Sequence, residues 1–149
     1  MQFGYGMGPD TTWMRQELTD AGVRELQTPE EVDSLFSNPE GATLLVINSV
    51  CGCAAGNARP GLIQALEHKR KPDQTVTVFA GQDKEATARA REYFTDYPPS
   101  SPAFVFFKEG KIKAMLPREQ IEGRTAQEVS EDLVKIFDRY CGDVQTDDA

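Results

Sequence analysis

Asn48-Ser49-Val50-Cys51-Gly52-Cys53-Ala54-Ala55-Gly56 sets two cysteines one residue apart, right after the most strand-like run of the chain, Thr43-Leu44-Leu45-Val46-Ile47. A run that reads as helix, residues 54–70, follows directly. The thiols therefore sit where a buried strand hands over to a helix N-terminus, where unpaired backbone N–H groups and the helix dipole favour a negative charge. A thiolate is such a charge. Lowering a free thiol's pKa of about 8.5 by about 1.5 units raises its ionised fraction at pH 7 from roughly 3% to about half, which makes Cys51 the expected nucleophile. A disulfide between residues i and i+2 needs Cα atoms within about 4.4–6.8 Å, so the chain must turn sharply at residue 52. Gly52 is the residue type that allows such a turn, and the small ring is expected to be more oxidising than a C-x-x-C bridge. The competing reading, two small buried hydrophobes, leaves the spacing and the helix start unexplained.

A chain of 149 residues with 39% hydrophobic and 27% charged residues suits one soluble domain that buries a core without staples. No apolar run approaches a membrane span and the N-terminus lacks a signal-peptide layout, so the expected compartment is the cytoplasm, with no membrane partner. Three cysteines there favour a redox, catalytic or metal-binding use over a disulfide framework. The net charge of −8 argues against nucleic acid as partner. Residues 1–50 carry eight acidic and two basic side chains, whereas residues 51–72 carry one and four. Lys69, Arg70 and Lys71 fall at the end of the expected helix, where cations complement its dipole, as does His68. Arg59 is left as the expected site charge, with amphipathic cover as its other reading.

Residues 1–10, rich in glycine, are expected to be flexible, residues 11–141 to form the domain, and the acidic residues 142–149 to be disordered. Within the domain, residues 11–21 read as a helix stopped by Gly22, with Trp13, Met14 and Leu18 inward. Thr28-Pro29-Glu30-Glu31 is a capping box for a second helix that runs to about Ser37, and Asn38-Pro39-Glu40-Gly41 breaks it. In the helix after the thiols, Ala54, Ala58, Leu62 and Leu66 form a stripe widened by Ile63, and Pro60 predicts a kink near Gly56 or Asn57. Thr75 to Ala80 is β-rich, Asp83 is placed to cap a helix over 84–96 that buries Ala86, Ala90, Tyr93 and Phe94, and Ala103 to Phe107 reads as a central strand. Lys108-Glu109-Gly110-Lys111 turns into a return strand over 112–116, and Thr125-Ala126-Gln127-Glu128 opens a helix to Tyr140 with Val129, Leu133, Val134, Ile136 and Phe137 inward.

The order helix, helix, β, α, β, α, β, β, α gives an α/β fold: a mixed four-stranded sheet flanked by helices, with extra N-terminal helices. A thiol pair at the first β-to-α junction of that topology is the thioredoxin-like arrangement. It predicts that Pro102, right before the third strand, is cis and close to the cysteines, leaving the Ser101 backbone to pair with an extended substrate.

The motifs Asn48 to Gly56, Ala58-Arg59-Pro60, Val78 to Thr87, Tyr97-Pro98-Pro99-Ser100-Ser101-Pro102 and Ile121-Glu122-Gly123 resemble, in this order, those of the bacilliredoxins. These are thioredoxin-fold proteins with a Cys-Gly-Cys motif. The resemblance runs from about Trp13 to Cys141. It implies reduction of mixed disulfides between cytosolic proteins and bacillithiol, a low-molecular-weight thiol acting as co-substrate, with no cofactor. Cys51 then carries over as the attacking thiol and Cys53 as the resolving one. The implied partners are S-thiolated cytosolic proteins, the small thiol and a disulfide reductase. Weak protein disulfide isomerase activity is the nearest alternative.

Two rival classes remain. Cys51, Cys53 and Cys141 could offer soft ligands for zinc or Cu(I), although C-x-C lacks the spacing of a four-ligand structural site. An adaptor could use the scaffold for binding alone, but it would not need an oxidisable turn.

Overall fold

The computed structural model describes residues 11–37 and 41–141; the expected flexible segment 1–10, the acidic tail 142–149 and residues 38–40 of the expected break lie outside them. The elements in chain order are α1 (Thr12–Thr19), β1 (Arg24–Glu25), α2 (Pro29–Phe36), β2 (Ala42–Asn48), a π-helical turn (Ala54–Ala58) running into α3 (Arg59–Ala65), β3 (Gln74–Phe79) and α4 (Lys84–Arg91). A 3-10 turn (Glu92–Phe94), β4 (Ala103–Lys108), β5 (Lys111–Leu116), a 3-10 turn (Arg118–Gln120) and α5 (Ala126–Tyr140) complete it.

Every residue of β2 is buried, because both faces of the strand are covered. Its side chains alternate between two cores. Leu44 and Val46 join Leu18, Leu62, Phe104, Phe106, Val129, Leu133 and Phe137 beneath α1, α3 and α5, while Leu45 and Ile47 join Val32, Val76, Val78, Ala90, Val105 and Phe107 beneath α2 and α4. The sheet order is β1-β3-β2-β4-β5, with β1, β3 and β2 parallel and β4 and β5 antiparallel to their neighbours. The turn between β4 and β5 is made by Glu109 and Gly110, both at positive φ. Among the described residues, no helix is long and apolar enough to cross a membrane.

This is the expected thioredoxin-like α/β arrangement with a fifth strand. β1 was not expected because two residues carry no periodicity; it exists through its pairing of Arg24 with Val76 and Glu25 with Thr77 at the sheet edge. Local signals fared better where backbone chemistry dominates. Thr125 and Glu128 close a full capping box, and Thr28 accepts the N–H of Glu31, although the Glu31 carboxylate takes the N–H of Gln27 instead of that of Thr28. The irregularity expected from Pro60 is the π turn: the ring removes the N–H that Gly56 O would accept, and the Arg59 N–H reaches back five residues to Ala54 O.

Side chains able to pair across elements departed from expectation. The Asp83 carboxylate does not cap α4 but holds Arg15 at 2.7 and 3.2 Å, and Arg15 also reaches Glu25, tying α1 to β1 and the α4 N-terminus. Trp13 is 50% exposed, and Tyr93, also exposed, stacks on Phe36 at 4.1 Å between ring centres. His68 and the three cations after it lie beyond the end of α3, with His68 Nε2 2.8 Å from an Asp138 oxygen on α5.

Candidate active site

β2 ends at Asn48, and the register of its neighbours decides what surrounds that end. Asn48 pairs with Phe79 of β3 and Ile47 with Ala103 of β4, so one more step along the antiparallel ladder sets Pro102 level with Asn48. The Ser101–Pro102 bond is cis, as the topology predicted. The thiol turn and the cis-proline loop thus leave the sheet side by side.

Hydrogen bonds define the turn. The buried Asn48 side chain accepts from the Ser49 N–H at 2.9 Å, and Ser49 Oγ accepts from the Cys51 N–H at 3.2 Å. Helical backbone begins at Gly52, and the N–H groups of Ala54 and Ala55 donate to the Cys51 carbonyl. Cys51 therefore stands at the helix start. Both thiols are half-buried and free, with Sγ atoms 2.9 Å apart.

The same environment acts oppositely on the two sulfurs. Burial pushes the Cys51 thiol up, but hydrogen bonds from Cys53, Ser49 and the Ala54 N–H, with the positive charge of Arg118, outweigh it and bring the pKa below the ordinary thiol range. Burial raises the Cys53 thiol, and its hydrogen bond to Cys51 and the charge there raise it further; Arg118 opposes this and Glu122 adds to it, leaving the pKa above the ordinary range. The first proton leaves the pair as a unit, and the surroundings draw the resulting charge to Cys51. An ionised sulfur beside a protonated one can attack a disulfide and then be cleared by its neighbour.

The other expected site residues are distributed unevenly. Ser101 lies in the loop beside the thiols, and its carbonyl accepts a long 3.4 Å contact from Arg118 Nη1. Gly52 is exposed at non-positive φ, and a Cβ there would meet nothing within 4 Å, so the dithiol form places no steric demand for glycine at this position. Arg59 corrects the sequence reading: it is 1% exposed and does not face a substrate. Its Nη1 donates to Asn48 Oδ1 at 2.9 Å and to the Ser49 carbonyl at 2.8 Å, its Nε donates to Glu17 at 2.6 Å, and its guanidinium lies over the Trp13 ring. It sits under the turn and braces it. Its Nη2 is buried without an acceptor among the described residues, and with only 1% of the residue exposed the guanidinium is closed off from solvent.

Arg118 is the cation the sequence reading missed. It follows β5, and since Leu116 pairs with Phe104, the hairpin returns the chain to the beginning of β4, beside Pro102. Drawing that register on the sequence would have found it. Its side chain is partly exposed, donates to Glu122 at 3.2 Å and acts on both sulfurs.

Cys141 belongs elsewhere. It caps α5 within the core, near Asp73 and Lys108, which flank Ala42 at the opposite end of β2. A seven-residue strand spans roughly 20 Å, so the three sulfurs do not converge on one ion, contrary to the soft-metal alternative. Burial pushes the Cys141 thiol up to about 11, helped by the nearby Asp73 carboxylate.

The chain resembles known proteins over most of its length. A family profile described as "Disulphide isomerase" matches residues 10–141. A bacilliredoxin of Geobacillus kaustophilus is 56% identical over 130 residues, covering 87% of this chain and 89% of the relative. One from Halalkalibacterium halodurans is 49% identical over 141 residues, covering 95% and 97%. Among solved structures, Fasciola hepatica thioredoxin superposes with a TM-score of 0.55 over 79% of this chain and 99% of its own, at 21% identity. Mitochondrial thioredoxin 3 of Saccharomyces cerevisiae gives 0.56 over 83% and 98%, at 16% identity. With its thiol pair at the junction between β2 and α3 of that fold, the chain belongs to the bacilliredoxin family of thiol–disulfide oxidoreductases.

Proposed function

We propose that this chain reduces mixed disulfides between cytosolic proteins and a low-molecular-weight thiol, with bacillithiol as co-substrate, as the resemblance to bacilliredoxins implies. One observation carries the reading: two sulfurs 2.9 Å apart, of which Cys51 is held below and Cys53 above the ordinary thiol pKa. In the first step the Cys51 thiolate forms an S–S bond to the sulfur of the small thiol as the bond to the target protein breaks, and the target leaves as a thiolate that takes a proton from water. In the second, Cys53 loses its proton and attacks Cys51, releasing the small thiol and leaving a Cys51–Cys53 disulfide. A second molecule of the small thiol could clear Cys51 instead. A disulfide reductase then supplies two electrons to restore the pair. No general base is required for the first step, since the surroundings of Cys51 already favour its thiolate. Ser101, in the cis-proline loop that leaves the sheet beside the thiol turn, supplies backbone to an extended target, and no further cofactor takes part. The cytoplasm, where thiols are kept reduced, is the compartment this cycle needs.

The family profile's description favours protein disulfide isomerisation as a second reading; it uses the same attack by Cys51 on a protein disulfide. The test is release of the small thiol from an S-thiolated protein. Cys51→Ser should reduce release to the uncatalysed rate, whereas Cys53→Ser should give one turnover and hold the adduct on Cys51, visible by mass. Full release by Cys51→Ser with loss in Cys53→Ser would reverse the roles, and retention by both would refute the mechanism. Faster reshuffling of a scrambled protein than reduction of the mixed disulfide would select the isomerase reading.

A further inference from the structure

Reducing a peroxide with thiols takes three things: a reachable thiolate, a donor at the oxygen that leaves, and a second thiol close enough to intercept the sulfenic acid before it is oxidised again. Two of them are the thiol pair itself. Cys51 is half-buried, with its N–H held by Ser49 Oγ at 3.2 Å at the start of the helix. Cys53 Sγ lies 2.9 Å from Cys51 Sγ, so the resolving sulfur is in place before any chemistry begins. Cys141 is buried in the core beneath α5 and does not compete.

The third is Arg118. The β4–β5 hairpin returns it beside the loop of Ser101 and cis-Pro102, which leaves the sheet next to the thiol turn. Its backbone N–H donates to Ser100 Oγ at 2.7 Å, which fixes the root of the side chain. The guanidinium is little engaged by the protein: Nη2 donates to Glu122 at 3.2 Å, Nη1 makes a 3.4 Å contact with the Ser101 carbonyl, and Nε has no acceptor among the described residues. With 43% of the side chain exposed, N–H groups remain for another acceptor. Its charge acts on both sulfurs. Disulfide exchange expels a thiolate, which water stabilises well, whereas breaking an O–O bond expels hydroxide, a far stronger base. A guanidinium with uncommitted N–H groups beside the nucleophile answers the second demand more than the first.

We propose that this chain is also a hydroperoxide reductase, in which Cys51 attacks the O–O bond, Arg118 donates to the departing oxygen and Cys53 resolves the product. The Cys51 thiolate forms an S–O bond to one oxygen of hydrogen peroxide as the O–O bond breaks, and the other oxygen leaves as hydroxide and takes up a solvent proton. Two electrons pass from sulfur to peroxide, and Cys51 becomes a sulfenic acid. Cys53 then loses its proton and attacks Cys51; the S–S bond forms, the S–O bond breaks, and the second hydroxide combines with that proton as water. The product is the same Cys51–Cys53 disulfide in which the exchange cycle ends, so the reductant that restores one restores the other. The activity goes beyond the exchange reading and does not require the small thiol.

The test takes the reduced protein at pH 8 and divides its second-order rate with hydrogen peroxide by that with iodoacetamide, whose leaving iodide needs no hydrogen bond. The quotient cancels differences in ionised fraction and access. Dithiothreitol gives the value for a thiolate without a donor. Wild-type protein should exceed it about tenfold, the lower end of what a charge-assisted hydrogen bond supplies. Arg118→Ala should fall to the dithiothreitol value, and Arg118→Lys, which keeps a cation, should retain part of the gain. A wild-type quotient equal to that of dithiothreitol, or a gain that survives Arg118→Ala, would overturn the assignment. Products are read by mass. One equivalent of peroxide should give the wild type as the Cys51–Cys53 disulfide, and Cys53→Ser as a sulfenic acid that dimedone traps at Cys51 and that further peroxide takes to sulfinic acid. Sulfinic acid in the wild type at one equivalent would refute resolution by Cys53. Release of a small thiol from an S-thiolated protein consumes no peroxide, so this activity and the exchange reading can fail separately.

Discussion

β2 carries a thiol environment beyond each of its ends, and the two have little in common. Beyond Asn48, Cys51 meets a helix start, a serine hydroxyl, a second thiol and a guanidinium, and these outweigh the cost of partial burial. Beyond Ala42, Cys141 sits 6% exposed in the core with carboxylates nearby, and burial governs. The lesson is that the same side chain becomes a nucleophile or an inert hydrophobe according to the donors aimed at it, not to burial alone. The difference is built by the backbone, since the donors around Cys51 come from a turn that β2, β4 and Arg59 hold in shape.

The sharpest way to break this comparison is to remove the brace. Arg59→Ala leaves Asn48 Oδ1 and the Ser49 carbonyl without their shared donor and empties a buried site, so it should cost about 3 kcal/mol in urea unfolding and slow alkylation of Cys51 at pH 7. Unchanged alkylation with lost stability would show that the turn keeps its shape without Arg59.

The Cys141 end is tested by pH. Its folded pKa of about 11 lies above the unfolded value of about 8.5, so the unfolded chain loses its proton first and stability should fall as pH rises from about 8.5 to about 11. Cys141→Ala should lower stability at neutral pH by about 1–2 kcal/mol through the lost packing yet flatten that alkaline decline, read from denaturation midpoints across the range. An unaltered slope would place the titrating group elsewhere.

The smallest effect belongs to Arg118. Arg118→Ala should raise the Cys51 pKa and slow its alkylation at pH 7 by about two- to fivefold in low salt, a gap that narrows as added salt screens the wild-type charge. An identical salt response in both proteins would remove Arg118 from the account of the thiolate.

How much of this was legible before folding differs by residue. The position of Cys51 at a helix start, the Pro60 irregularity, the Thr125 capping box and the cis bond at Pro102 could be read from local spacing and topology. β1 could not, because two residues pair only through the sheet edge they happen to meet. The charge expected from Arg59 is supplied by Arg118, for which the sequence suggested no role. Proximity in sequence favoured Arg59 as the site charge, but one helical turn beyond Gly56 it points under the turn, toward Glu17 of α1.

Backbone chemistry determined the rest from sequence alone: where the longer strands and most helices start, that Thr28 and Thr125 cap theirs, and that two sulfurs flank one glycine. These depend on hydrogen bonds and periodicities spanning a few residues. Which guanidinium reaches the sulfurs, which is buried, and which cysteine lies a strand's length away were decided only by the tertiary structure, because electrostatic coupling depends on distance through space and the hairpin register sets that distance.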